Sequence, residues 1–217
     1  MRKPVRKIRP SRGMHYRSKI PRSKNLKIVH TESLLERDFV RLSNYDRTVK
    51  AIYFQCVSLK YNFKGKSHKY FPDFLLLLHN GKYLLVEVKL KKFKDTDENK
   101  AKYKAGEAHC KKEGWTYLVV TEDEIRPGFL QSNLKLLLRA KVHKETPIIT
   151  EYILAAMSLF HEIQIKDLMD KCNIVTPSLF MINLYKLIYS GRIFTDLIGS
   201  RLTIDSILSI RNDQDVS

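Results

Sequence analysis

The chain has 217 residues, of which 43% are hydrophobic, and its 40 Lys and Arg outnumber 23 Asp and Glu, for a formal net charge of +17. A chain of this length and apolar content can bury one sizeable core and a smaller one, and its charge favours a polyanionic partner such as nucleic acid. No apolar run approaches the ~20 residues of a membrane span, and the basic start lacks the apolar core of a secretory signal. We therefore expect a cytoplasmic protein with no membrane partner.

Residues 1–27 form a strongly basic segment, with eleven Lys or Arg and no acidic residue. Such a composition cannot bury enough apolar surface to fold alone. We predict an arm that docks on DNA phosphates or on a protein partner, and a solubilising tail is the alternative.

An amphipathic helix is predicted to start near Ser33, because apolar residues recur on one stripe at Leu34, Leu35, Phe39 and Leu42. Glu36 lies in its first turn. Its position three residues after Ser33 is that of a capping box, so a helix-capping role stands beside any role in a site.

A β-hairpin is predicted further along, after strands within residues 50–63 and a basic turn at 64–66. The run from Phe74 to Leu78 and the run from Tyr83 to Lys89 flank Asn80-Gly81, a strong hairpin signal. This pairing brings Asp73, at the start of one strand, beside the end of the other.

The end of the second strand carries Glu87 and Lys89, which point to the same face because side chains alternate along a strand. A Glu-x-Lys pair is usually a solvated face. Here both strands are apolar on both faces, which indicates central strands, where charges are costly unless they are paired or bind a metal.

The residue types fit metal-dependent phosphodiester hydrolysis. Mg²⁺, with Mn²⁺ as a substitute, prefers oxygen ligands, and the carboxylates of Asp73 and Glu87 with the carbonyl of Val88 provide such a set. Lys89 would stabilise negative charge that develops on the phosphate.

Beyond the hairpin, a crossover helix is predicted from about residue 98 to 113, then a buried strand at 115–121 and a helix at 129–141. The resulting αβββαβ order predicts an α/β domain, a mixed sheet flanked by helices, over residues 28–145.

Residues 146–217 are expected to form a second, mainly α domain. Its predicted elements are helices at 151–160, 165–172 and 177–189 and a hairpin from 191–196 and 201–204, which is a winged-helix plan. The third helix is apolar and nearly without Arg, so a partner-binding or structural role is favoured over DNA reading.

Asp73 after a proline, followed by Glu87-Val88-Lys89, matches the PD-(D/E)xK signature, and the chain resembles the restriction-endonuclease-like superfamily. Enzymes of that superfamily often place a further acidic residue on the first helix, which here is Glu36. The order of the segments at residues 33–39, 54–55, 70–74 and 85–89 is similar to that of the TnsA family.

The TnsA resemblance implies an endonuclease that cuts the 5′, non-transferred strand at transposon ends. It also implies double-stranded DNA as substrate, a DDE-type transposase subunit as partner and an AAA+ ATPase as regulator. Glu36, Asp73, Glu87 and Lys89 would form the active site, with Glu36 a further metal ligand. The alternatives are a restriction or junction-resolving nuclease of the same fold and a non-catalytic DNA-binding adaptor.

Overall fold

The computed structural model describes residues 29–210, together with Val5, Ser18–Ile20 and Lys24. The chain divides into a first compact unit that ends at Arg126 and a second that begins at Pro127. Within the described residues, no helix is both long and apolar enough to cross a membrane.

The first unit alternates strands and helices. Its described strands are β1 (Ser18–Ile20), β2 (Val29–Thr31), β3 (Val49–Phe54), β4 (Leu59–Phe63), β5 (Lys66–Tyr70), β6 (Phe74–Leu78), β7 (Tyr83–Val88) and β8 (Thr116–Val120). Its described helices are α1 (Leu34–Tyr45), α2 (Lys91–Lys94), α3 (Asp97–Glu113) and α4 (Glu122–Ile125).

A four-stranded sheet in the order β3-β6-β7-β8 forms the centre of the first unit. Its first three strands are antiparallel, and β8 runs parallel to β7 after the crossover through α3. The predicted hairpin between β6 and β7 is confirmed, with Gly81 at φ 83° in the turn. The fold class is confirmed as a mixed sheet flanked by helices, consistent with a restriction-endonuclease-like fold.

Hydrophobic cores cover β6 and β7 on both faces. Phe74 and Val86 pack in one cluster with residues of α1, whereas Leu75 and Leu85 pack in another with residues of β4, β5 and α3. The prediction that these strands are central is therefore confirmed.

Two expectations for the first unit were wrong. Leu34 lies outside the apolar stripe of α1, with 45% of its surface exposed. Strand β8 is the edge of the sheet rather than a buried strand, and Leu118 within it is 38% exposed. An apolar run alone does not reveal whether a strand has one neighbour or two.

The predicted arm, residues 1–27, lies outside the described residues apart from Val5, Ser18–Ile20 and Lys24. Its described part includes a strand that the sequence did not predict, because β1 pairs antiparallel with β2. The backbone N–H of Val5 also donates to the carbonyl of Gln55 at 3.0 Å.

The second unit is mainly helical. Its described elements are α5 (Leu130–Ala140), α6 (Pro147–Met157), β9 (Glu162–Gln164), α7 (Ile165–Lys171), α8 (Pro177–Ser190) and β10 (Ile207–Ser209). Helices α5 and α6 both pack on α8.

The domain boundary predicted at residues 145/146 needs correction, since the chain divides after Arg126. Helix α5 belongs to the second unit because it buries Leu134 and Leu137 on its face and packs on α8. The amide of Asn133 in α5 also donates to the carbonyls of Leu197 and Ser200, at 3.0 and 2.8 Å.

The predicted hairpin of 191–196 with 201–204 is also wrong. Residues 201–203 have no regular structure, and Phe194 instead bridges to Ser209 in β10, which pairs antiparallel with β9. The three predicted helices are present, but the winged-helix assignment remains a prediction.

Candidate active site

The end of the β6–β7 hairpin brings Asp73 and Val88 into direct contact. Phe74 pairs with Val86, so Asp73 lies where the two strands open. The carboxylate Oδ2 of Asp73 accepts a hydrogen bond from the Val88 N–H at 2.9 Å, and its carbonyl accepts one from the Gln55 N–H at 2.9 Å. These two bonds fix the Asp73 backbone and side chain at the sheet end.

Glu87 and Lys89 share one face, as the alternation of β7 predicts. The Lys89 Nζ lies 3.0 Å from Glu87 Oε1. Glu87 is buried, with 4% of its surface exposed, whereas the Lys89 side chain is 27% exposed. A buried carboxylate is thus paired with a cation that still reaches solvent.

Only the Ser33 half of the predicted capping box is seen at the start of α1. The Ser33 Oγ accepts from the Glu36 N–H at 3.1 Å, and Glu36 Oε2 accepts from the Glu32 N–H at 2.8 Å. Burial raises the pKa of Glu36, and the charges of Glu32 and Glu87 raise it further. Ser33 therefore caps α1, and the Glu36 carboxylate, bonded to the Glu32 N–H, lies within electrostatic reach of Glu87.

The environment of Asp73 strongly disfavours the charged form of its carboxyl group. Burial raises its pKa well above the ordinary range, and the carboxylates of Glu87 and Glu36 add to the rise. The Val88 N–H and the Lys89 charge oppose this rise without cancelling it. The charge of Lys89 therefore offsets only part of the repulsion that Glu87 and Glu36 exert on Asp73.

The Asp73 and Glu87 donors fit a hard divalent cation, because they are anionic oxygens whose mutual repulsion a positive ion would relieve. Among the described residues, no three His, Cys, Asp or Glu side chains are grouped to hold a metal. The set of Asp73, Glu87 and the Val88 carbonyl as Mg²⁺ ligands stays a prediction. Glu36 as a ligand remains a prediction.

Lys89 is suited to charge stabilisation rather than proton removal. Burial lowers its pKa, but the charge and hydrogen bond of Glu87 outweigh that effect and the pKa is raised. The ammonium therefore stays protonated at neutral pH.

Two tyrosines that the sequence did not indicate position Glu87. The Tyr70 hydroxyl, in a side chain that is 4% exposed, donates to Glu87 Oε2 at 2.7 Å, and it lies 2.8 Å from the Tyr117 hydroxyl. Burial raises the pKa of both phenols. In the register of β7 and β8, Tyr117 is opposite Leu85, on the face that also carries Glu87. Only that register could have revealed the contact.

A third tyrosine, Tyr103 of α3, lies beside this pair. Its ring centroid is 6.2 Å from that of Tyr117. Its hydroxyl is buried without a hydrogen-bond partner in the described part of the chain. Burial raises its pKa, and the charge of Lys89 opposes the rise.

An ion network around Asp38 holds α1 to the end of α4. Asp38, which is 4% exposed, accepts from Arg41 Nη1 at 2.7 Å and from Arg126 Nε at 2.8 Å. Although burial raises the pKa of Asp38, these two guanidinium groups hold it below the ordinary value. This network supports the packing of α1 on α4.

No curated protein matches the chain. Residues 46–122 match the family model described as TnsA-like endonuclease N terminal, and that span contains Asp73, Glu87 and Lys89. The match supports a nuclease subunit of a transposase in general, with DNA as its substrate and a transposase as its partner. Over residues 46–122, the chain is therefore similar to the N-terminal endonuclease domain of TnsA-like proteins.

Proposed function

We propose that the chain is a Mg²⁺-dependent DNA endonuclease that cuts the 5′, non-transferred strand at transposon ends. It acts with a DDE-type transposase subunit that processes the other strand, under an AAA+ ATPase regulator. The observation that supports this most strongly lies at one sheet end, within the TnsA-like match. There the Asp73 carboxylate bonds to the backbone of Val88, and the two residues that flank Val88, Glu87 and Lys89, form an ion pair.

Each residue has a role in the proposed reaction. Asp73 and Glu87 hold Mg²⁺, which when bound lowers the pKa of a water molecule and neutralises phosphate charge. Tyr70 keeps the Glu87 carboxylate turned toward the site through its 2.7 Å hydrogen bond. Lys89 provides a fixed positive charge for the scissile phosphate, where negative charge increases in the transition state.

The test is cleavage of a duplex that carries a transposon end, labelled on each strand in turn. We expect 5′-strand cleavage only when the chain, the DDE-type subunit and Mg²⁺ are all present. A chain that cuts a defined sequence or a DNA junction alone would instead be a stand-alone nuclease. A complex that works equally well with Asp73→Ala would make the chain a DNA-binding adaptor.

A further inference from the structure

The hairpin of β4 and β5, residues 59–70, is a two-stranded ribbon apart from the main sheet. It forms a sheet of its own, paired from Leu59 with Tyr70 to Phe63 with Lys66. The turn residues Lys64 and Gly65 have φ of 48° and 72°, as a tight two-residue hairpin turn requires. We call residues 59–70 the basic ribbon.

The inner face of the basic ribbon is anchored in the hydrophobic core. Leu59, Tyr61 and Tyr70 are buried in one cluster with Leu75 and Leu85 of the main sheet. The ribbon is therefore fixed at its base, so its outer face has a defined position.

The outer face of the basic ribbon is positively charged. Lys60 is opposite Lys69, and Asn62 is opposite Ser67, and all four side chains are exposed. The ribbon contains four lysines and no acidic residue. Like charges directly opposite one another destabilise a strand pair, so the arrangement is unfavourable unless an anion lies across it.

Helix α3 extends this charged surface. Lys60 and Asn62 line a groove of about 570 Å³ together with Lys100 and Lys104 of α3, and Asp97 is the acidic residue among its lining. None of these three lysines forms an ion pair in the described part of the chain.

The packing of α3 on β4 leaves these lysines free. Tyr61 donates to Glu98 of α3 at 2.8 Å, and Glu98 pairs with Lys102 at 2.7 Å. The carboxylate of Glu98 is thus already engaged by Tyr61 and Lys102.

The basic ribbon leads directly into the active site. Tyr70, its last residue, donates to Glu87, and Asp73 follows three positions later. The ribbon is therefore joined to the carboxylates by a short segment of three residues, Phe71 to Asp73.

We propose that the outer face of the basic ribbon, with Lys100 and Lys104, binds the phosphate backbone of the DNA duplex that the active site cuts. A two-stranded ribbon has the width to lie along a major groove, and lysines bind phosphates as point charges. The identity of the DNA as substrate rests on the proposed function, but the binding surface is tested without cleavage.

The test compares two variants with equal charge changes. The first replaces Lys60, Lys69, Lys100 and Lys104 with Gln. The control replaces four exposed lysines elsewhere with Gln: Lys50, Lys82, Lys112 and Lys135. Binding to a mixed-sequence duplex of about 30 base pairs, or roughly three helical turns, is measured at several salt concentrations with a chelator that removes divalent metal.

Each lost phosphate contact should reduce the slope of log affinity against log salt by about 0.9. We expect the first variant to lose affinity on the order of 10²–10³-fold at 0.1 M salt, with a much shallower slope, and the control to change little. A double variant at Lys60 and Lys69 alone should give about half the slope change. Because the substitutions are on exposed side chains, thermal unfolding should confirm that each variant folds.

Equal binding and equal salt slopes in the ribbon variant and the control would overturn the proposal, even if the parent protein proves to be a nuclease. Conversely, loss of binding in the ribbon variant would support the surface even if no cleavage is found. The two failures are therefore distinguishable.

Discussion

The contact of Tyr70 with Glu87 allows a quantitative test of how the site is held. Tyr70→Phe removes one hydroxyl and keeps the ring, so the core packing is retained. The lost group donates to a buried carboxylate at 2.7 Å and lies 2.8 Å from the Tyr117 hydroxyl. A hydrogen bond to a charged, buried partner contributes about 1.5–3 kcal/mol, so we expect unfolding free energy to fall by about 2–3 kcal/mol.

The matched control is Tyr103→Phe in the same layer of side chains. Its hydroxyl is buried but has no hydrogen-bond partner in the described structure, so its removal should be neutral or slightly stabilising. Thermal or denaturant unfolding of both metal-free variants measures the difference. We expect Tm to fall by about 4–12 °C for Tyr70→Phe and to change little for Tyr103→Phe. Equal effects of the two substitutions would refute the hydrogen-bond network as the cause.

Three further substitutions test other parts of the structure. Gly106→Ala should lower the free energy of unfolding by about 1–2 kcal/mol, although alanine has the better helix propensity. The reason is that the new Cβ would lie 2.3 Å from the Tyr117 ring. An unchanged free energy of unfolding would contradict this. Asp38→Asn should lower the free energy of unfolding by about 3 kcal/mol, because it leaves the guanidinium groups of Arg41 and Arg126 without their buried carboxylate. The ion pairs lower the pKa of Asp38 in the folded protein. Their contribution to stability is therefore complete above the pKa of Asp38 in the unfolded chain and is lost as the pH falls through its pKa in the folded protein. In urea unfolding, the difference in stability between the parent and Asp38→Asn should therefore close only at acidic pH. Lys89→Ala should slow DNA cleavage on the order of 10²-fold with calorimetric Mn²⁺ affinity nearly unchanged; a large loss of affinity would make Lys89 a structural partner of Glu87 instead.

Local patterns in the sequence predicted the parts of the structure that depend on neighbouring residues. Asn80-Gly81 fixed the β6–β7 hairpin, and the hairpin then placed Asp73 beside Val88 and Glu87 beside Lys89. The end of α3 at Gly114 was equally local, since its φ of 70° favours glycine.

The errors involve contacts between segments that are distant in the chain. Strand β10 pairs with β9 across two helices, which the run at 201–204 could not reveal. The role of Tyr117 depends on the register of a parallel strand after a helical crossover. Packing partners decided these features, and single-sequence patterns do not encode them.

The central claim is that Asp73 acts through its negative charge, and cleavage by Asp73→Asn tests it most directly. Asn keeps an oxygen that can accept from the Val88 N–H, so the sheet end should remain intact. Burial and the neighbouring carboxylates raise the pKa of Asp73 in the folded protein. The metal-free protein therefore loses stability as the pH rises through that pKa and Asp73 becomes charged. The metal-free variant should therefore be at least as stable as the parent at neutral pH.

The measurement is the rate of 5′-strand cleavage at a transposon end, in the complete complex, across a Mg²⁺ titration. We predict that Asp73→Asn abolishes this cleavage at every Mg²⁺ concentration while the DDE-type subunit still cuts the other strand. Cleavage of the 5′ strand by the variant at the parent's rate would contradict the assignment of the active site.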